Sequence, residues 1–133
     1  MKVLTLKQPW ATLVAMGLKK YEFRSWKTNY RGELFIHAGK GVDKEAMKRF
    51  EHLLLEYPKS KILAKVNIVD CIELNKEINQ SIIAENELIY GNNPSRVGYA
   101  WVINDVEVLN KDIFIKGKLG IWNFDEKDNL NNY

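Results

Sequence analysis

The sequence predicts an α+β domain: a small β-barrel or curled sheet of about five or six strands, with two main helices beside it. Three observations support that class. Short segments of alternating apolar and polar residues recur along the chain, KILAKVNIVDCIEL (61–74) being the clearest. Two segments, one opening at Gln8-Pro9 and one at Asp43, carry apolar residues at helical spacing instead. The chain has 133 residues, 46% of them hydrophobic, which suits one domain with a sizeable core and shows no repeat or linker.

The first strand is VLTL, Val3 to Leu6, which alternates weakly. Pro9 follows where a helix can begin, because its missing N–H is unpaired there in any case. Trp10, Leu13, Val14 and Gly17 then share one helical face. Gly17 is the expected stop, since glycine takes the left-handed conformation without penalty. KKYEFRSW (19–26) is extended, and RGELFIHAG (31–39) is a strand with Leu34 and Ile36 on one face. Asp43 caps a second helix, with Val42 and Met47 spaced as a hydrophobic staple. Its buried stripe is Ala46, Phe50, Leu53, Leu54 and Tyr57, and Pro58 ends it. In the next strand Ile62, Ala64, Val66, Ile68, Ile72 and Leu74 share one parity. Residues 76–90 hold a helical turn or two, and GNNPSR (91–96) is a loop. YAWVINDVEVL (99–109) is a strand in which Asn104-Asp105 marks a bend or bulge. IFIKGKLGIWNF (113–124) supplies a last strand or two around Gly117 and Gly120. The domain is expected over 1–124, with DEKDNLNNY (125–133) as a polar, fraying tail.

Composition narrows the function. A single cysteine, Cys71, rules out an intrachain disulfide and suits a reducing, cytoplasmic setting. No apolar run approaches the roughly 20 residues a membrane helix needs, and MKVLTLKQPW has no signal-peptide core. Two histidines and one cysteine give no zinc spacing, so no metal and no cofactor is expected. His37 on an apolar strand reads as a satisfied core histidine. The net charge of +3 is compatible with a polyanionic partner.

The stretch GLKKYEFR (17–24) carries the chemistry. Glu22 and Arg24 are two apart on an extended segment and share a face, roughly 6–7 Å apart, while Lys19 at the preceding turn can lean over it. Arg24 can fork onto a phosphate or a base edge, and Glu22 can accept from an exocyclic amine. An ordinary surface salt bridge is the alternative reading of this pair. Tyr21 and Phe23 alternate toward the core, and Lys20 toward solvent. Trp10 reads as core with an edge toward the cleft, and Trp26 can stack on a base or pack under its loop. Trp101 and Trp122 read as core. The helix from Asp43 mixes Lys44, Lys48 and Arg49 with Glu45, Glu51 and Glu56, which reads as a solvated face.

Four ordered motifs carry a resemblance. Gln8-Pro9-Trp10-Ala11 is followed by Gly17, Lys19, Glu22 and Arg24 in the pattern G-x-K-x-x-E-x-R, then by Tyr30-Arg31-Gly32 and Ile36-His37-Ala38. VDCIEL and IKGKLGIW (115–122) are similar to a middle and a closing strand. Over about residues 3–124 the chain resembles the ASCH (activating signal cointegrator homology) domain of the PUA-like superfamily. The resemblance implies a PUA-like β-barrel, a cleft near the QPW helix, and nucleic acid, RNA above all, or a nucleoside as ligand. It implies ligand contacts from Gln8, Trp10, Lys19, Glu22, Arg24 and Trp26. Two functions follow: a non-catalytic RNA-binding module, or a metal-independent hydrolase of RNA or a modified nucleoside. Some proteins of this family are amidohydrolases of acylated cytidine that use a Lys, a Thr and a Glu. The lysine matches Lys19, but the threonine position is held by Glu22, which has no hydroxyl to acylate. The third residue corresponds to Glu73 or Glu77. In a ribonuclease, Lys19, Glu22 and Arg24 would supply acid–base and charge stabilisation.

Overall fold

A computed structural model describes residues 1–125. Six strands form one mixed sheet: β1 (Lys2–Gln8), β2 (Tyr21–Arg24), β3 (Gly32–Val42), β4 (Lys61–Glu73), β5 (Tyr99–Phe114) and β6 (Ile121–Asn123), in the order β2-β5-β4-β3-β1-β6. Among the described residues only the β1–β3 pair is parallel, aligning Val3 with Phe35. The helices are α1 (Trp10–Ala15), α2 (Lys44–Arg49), α3 (Lys76–Glu85) and α4 (Glu87–Tyr90), with a 3₁₀ turn over Glu51–Leu53. Among the described residues no helix is long and apolar enough to cross a membrane. The tail expected over 125–133 lies, but for Asp125, outside the described residues.

The alternation read along 61–74 becomes the spine of the sheet. Ile62, Ala64, Val66 and Ile68 are all at most 1% exposed. Ala64 lies on the sheet beside the core that Val66 and Ile68 form with Leu4, Leu6, Leu34, Ile36, Trp101 and Ile103, against Ala11 and Val14 of α1. Ile62 joins a smaller cluster with Val3 and Trp122. Register shifts bend the long strands, as β-bulges do. The bulge expected at Asn104-Asp105 is present: the pairing slips between Lys65 and Asn67, and Asp105 takes φ +55°.

The sheet is not closed into a barrel. Its edge strands are short: β2 pairs with β5 only over Tyr99–Val102, and β6 with β1 only over Lys2–Leu4. Among the described residues no backbone ladder joins β2 to β1 or to β6. A side chain crosses to β1 instead, Arg24 Nη2 donating to Thr5 O at 3.0 Å.

Two helix expectations are refined. α1 ends in a Schellman motif: Gly17 N–H donates to Val14 O, Leu18 N–H to Leu13 O, and Gly17 has φ +74°. The motif turns Lys19 back over the helix. The second helix, expected to run to Tyr57, stops at Arg49. Beyond it the chain doubles back across α1, where Gln8 Nε2 donates to Pro58 O at 2.8 Å and Thr12 Oγ1 to Glu56 O at 3.1 Å. Leu54 is consequently left-handed and 89% exposed rather than part of a buried stripe. The turn or two expected over 76–90 is a ten-residue α3 followed by α4. Asn75 and Asn86 cap them through side-chain bonds to Ile78 and Ile89 N–H, a signal the weak apolar periodicity had obscured.

His37 is fully buried, as expected. Burial lowers its pKa, so the ring is neutral. The network assigns its tautomer: Nε2–H donates to Ile115 O at 2.6 Å, and Nδ1 accepts from Thr5 Oγ1 at 3.1 Å. Thr5 in turn accepts from Trp122 Nε1 at 2.9 Å.

Candidate functional site

Lys19, Glu22, Phe23 and Trp10 meet in one cleft of about 270 Å³, completed by Asp43, Glu45, Arg49, Ile89, Tyr90 and Arg96. The Schellman turn delivers Lys19, and the alternation of β2 delivers Glu22. Lys19 is 3% exposed. Its Nζ donates to Glu22 Oε2 at 3.2 Å and to Tyr21 O. Three rings enclose it, with centroids at 5.6 Å (Trp10), 5.1 Å (Phe23) and 5.9 Å (Tyr90). Burial lowers the Lys19 pKa, and the Glu22 carboxylate partly opposes that shift.

Glu22 also faces Arg24, whose Nε lies 3.7 Å from Oε1. The shared face expected of Glu22 and Arg24 is therefore present, but the pair is part of a largely buried triad with Lys19, unlike a surface bridge. Arg24 leans through the wall into an adjoining recess of about 360 Å³, which shares Trp10, Glu22 and Phe23 with the cleft. A larger cavity of about 470 Å³ lies elsewhere, at Met1, Tyr30 and Phe35, where Lys65 pairs with Glu33 and Glu107. It holds none of the residues singled out for chemistry.

The other sequence candidates are placed differently. Gln8 is fully buried and outside the cleft lining. Its Oε1 accepts from Thr12 N–H at 3.0 Å and its Nε2 serves Pro58, so it caps α1 and pins the return chain. Trp26 is 38% exposed and packs edge-on against Trp101 at 4.6 Å, away from the cleft. Trp10 is half-buried: one edge meets Phe50 at 5.8 Å, and its ring walls the cleft. Glu73 and Glu77 are exposed and line neither recess.

Four contributors are not signalled by the sequence: Arg49, Arg96, Asn79 and Tyr90. Arg49 does not belong to a solvated face; its guanidinium lies 5.6 Å from the Trp10 ring. Arg96 comes from the GNNPSR loop and stacks 4.0 Å over Phe23. Asn79 on α3, 2% exposed, holds that loop by donating to Pro94 O at 3.1 Å and Arg96 O at 2.8 Å. Tyr90 accepts from Lys20 N–H at 2.8 Å and so ties α4 to the start of β2. Burial, with the Arg49 charge behind it, lowers the Arg96 pKa. Both guanidiniums line the same cleft.

The geometry can be set beside known proteins. The family model for the ASCH domain matches residues 4–111. The chain belongs to the ASCH domain family. It is similar to activating signal cointegrator 1 of Mus musculus and of Homo sapiens, 28% identical over 136 residues in each case. Those matches cover 93% of this chain and 22% of each relative, so the chain spans about a fifth of the length of the curated proteins it resembles. The fold is similar to that of ASCH from Zymomonas mobilis, with TM-score 0.63, 13% identity, and 98% of this chain and 93% of that one covered. A tyrosine-to-phenylalanine mutant of the Zymomonas mobilis protein aligns with TM-score 0.57 and 14% identity over 85% of this chain and 74% of that one.

Proposed function

We propose that this ASCH protein binds RNA, taking a base into the cleft at Lys19 and Glu22. The observation that carries the reading is the buried Glu22 carboxylate, set between aromatic walls with Arg24, Arg49 and Arg96 around it. A carboxylate paired with Lys19 keeps acceptor capacity for an exocyclic amine, as acidic side chains do for cytosine N4. Trp10, Phe23 and Tyr90 offer faces and edges for a base, a contact worth about 1–3 kcal/mol. The arginines supply planar forks for phosphate. Lys19 is enclosed, so its part is to fix Glu22, and the phosphate contact at the cleft itself belongs to the arginines. The test is fluorescence anisotropy with a labelled single-stranded RNA at fixed salt. Glu22→Gln and Arg24→Ala should both weaken binding, and wild-type affinity in both would refute the reading.

A second reading, a hydrolase of RNA or of a modified nucleoside, has one observation in its favour. A buried lysine with a lowered pKa beside a carboxylate is an arrangement suited to acid–base chemistry. Cleavage of RNA by the purified protein, abolished by Lys19→Met, would favour it over a binding module.

A further inference from the structure

The recess beyond the wall of Trp10, Glu22 and Phe23 has a charge of its own. Lys7, Arg24, Lys40 and Lys118 line it. It runs on into a second recess of about 280 Å³, lined by Lys40, Lys116 and Lys118. Glu22 is the one carboxylate in either lining among the described residues, and it is already engaged by Lys19 and Arg24. The four lysines are exposed, and none takes part in the salt bridges found among the described residues. The channel follows the seam between β1 and β2 that the sheet leaves open.

Its floor is built from close backbone approaches. A Cβ at Gly39 would sit 2.9 Å from Thr5 Cγ2, and one at Gly117 would sit 2.7 Å from the His37 ring. The loop bearing Lys116 and Lys118 is anchored by the His37 bond to Ile115 O. The lysines therefore project from a fixed base.

We infer that this channel is the path of the phosphodiester backbone of a single RNA strand leaving the base cleft, an inference that rests on the function proposed above. The cleft and the channel share a wall, so a strand with one base in the cleft enters the channel directly. Uncompensated lysines suit phosphates, which they neutralise without reading sequence. An acidic peptide would satisfy the charge but has no use for the adjoining aromatic cleft.

The experiment compares cytidine 5′-monophosphate with an eight-nucleotide oligocytidylate across a salt series. The proteins are the wild type, Lys40→Ala/Lys118→Ala, and Lys2→Ala/Lys76→Ala as a control for net charge. The oligomer should bind wild type more tightly than the mononucleotide. The Lys40/Lys118 variant should lose about tenfold in oligomer affinity at low salt, and its slope of log K against log salt should fall by about 1.4, at about 0.7 per single-strand phosphate. Its mononucleotide affinity and the control variant should match wild type. The inference is overturned if the oligomer binds no better than the mononucleotide, if the slope is unchanged, or if an oligoglutamate of equal charge competes as well as the oligomer. In those outcomes mononucleotide binding leaves the base cleft standing. Failure of both nucleotides to bind removes the cleft reading and this inference together.

Discussion

Glu22→Gln tests the arrangement at the centre of the cleft. The substitution keeps the shape and removes the charge facing Lys19, whose ammonium is 3.2 Å away in a side chain only 4% exposed. Removing one partner of a buried pair costs about 3–5 kcal/mol, because the other charge stays buried without compensation. Lys19 keeps the Tyr21 carbonyl and three ring faces, and Arg24 loses a partner as well, so the expected loss is about 3 kcal/mol at pH 7. The pH dependence has a defined sign. Burial already lowers the Lys19 pKa against the pull of Glu22, and Arg96 and Arg24 push the same way, so loss of Glu22 lowers it further. Between that lowered value and the unfolded lysine value of about 10.4, the unfolded chain binds more protons. Stability then rises with pH across that window, and the variant's deficit should shrink from about pH 7 to about pH 10. Urea unfolding followed by circular dichroism at both pH values measures it. Lys19→Met/Glu22→Leu should recover most of the stability, since an apolar replacement of a buried pair is often neutral or better. A deficit that is independent of pH, or a double variant no better than Glu22→Gln, would refute the buried-pair account.

The binding surface makes its own forecasts. Arg24→Ala should weaken RNA binding by about 1–3 kcal/mol, and Arg49→Ala and Arg96→Ala should do likewise, while Lys44→Ala, on the exposed side of α2, should leave it near wild type. Anisotropy titrations compare the four, and equal losses everywhere would mean diffuse electrostatics. Trp10→Ala should cost more stability than Trp26→Ala: Trp10 bridges Phe50 and the cleft, and its half-burial puts the loss near the lower end of about 3–5 kcal/mol for aromatic truncation. A thermal melt with Trp26→Ala the less stable would reverse that placement. Acetate release from N4-acetylcytidine should be undetectable with wild type, because Glu22 offers no hydroxyl nucleophile; turnover abolished by Lys19→Met would make the protein an enzyme.

Much of this fold is legible because its elements obey short-range rules. Strict alternation over 61–68 predicts which side chains are buried, and Gly17 predicts where α1 stops. The motif G-x-K-x-x-E-x-R reads equally well, since a tight turn and a four-residue strand leave Lys19, Glu22 and Arg24 little choice of direction. Long-range contacts are what the pattern hides. Nothing in the apolar stripe from Ala46 to Tyr57 reveals that Gln8 and Thr12 pull residues 56–58 back across α1 and end α2 early. That early end changes what Arg49 faces. Arg96 is hidden for the same reason: its place depends on Asn79, seventeen residues earlier, whose buried amide holds two carbonyls of the loop. Gln8 misleads in the opposite sense, because a polar residue in a recognisable motif invites a ligand role while its amide is spent on the fold.

The expected barrel and the observed sheet differ at one seam, and the candidate chemistry gathers there. Closing β2 onto β1 with a backbone ladder would occupy Thr5 O, which instead accepts from Arg24. It would also cover the recess that Lys7, Arg24, Lys40 and Lys118 line. Keeping the seam open leaves two edges that need protection from non-specific pairing. Short strands and charged side chains supply it, as they do at sheet edges generally. Beside that opening sits Glu22, a carboxylate set within an aromatic wall. Lys19 pairs with it there, and three aromatic rings make the lysine tolerable in so enclosed a place. The triad ties down an unpaired edge, and it holds a fixed carboxylate between a cleft that mixes Arg49 and Arg96 with Asp43 and Glu45 and a recess lined by lysines.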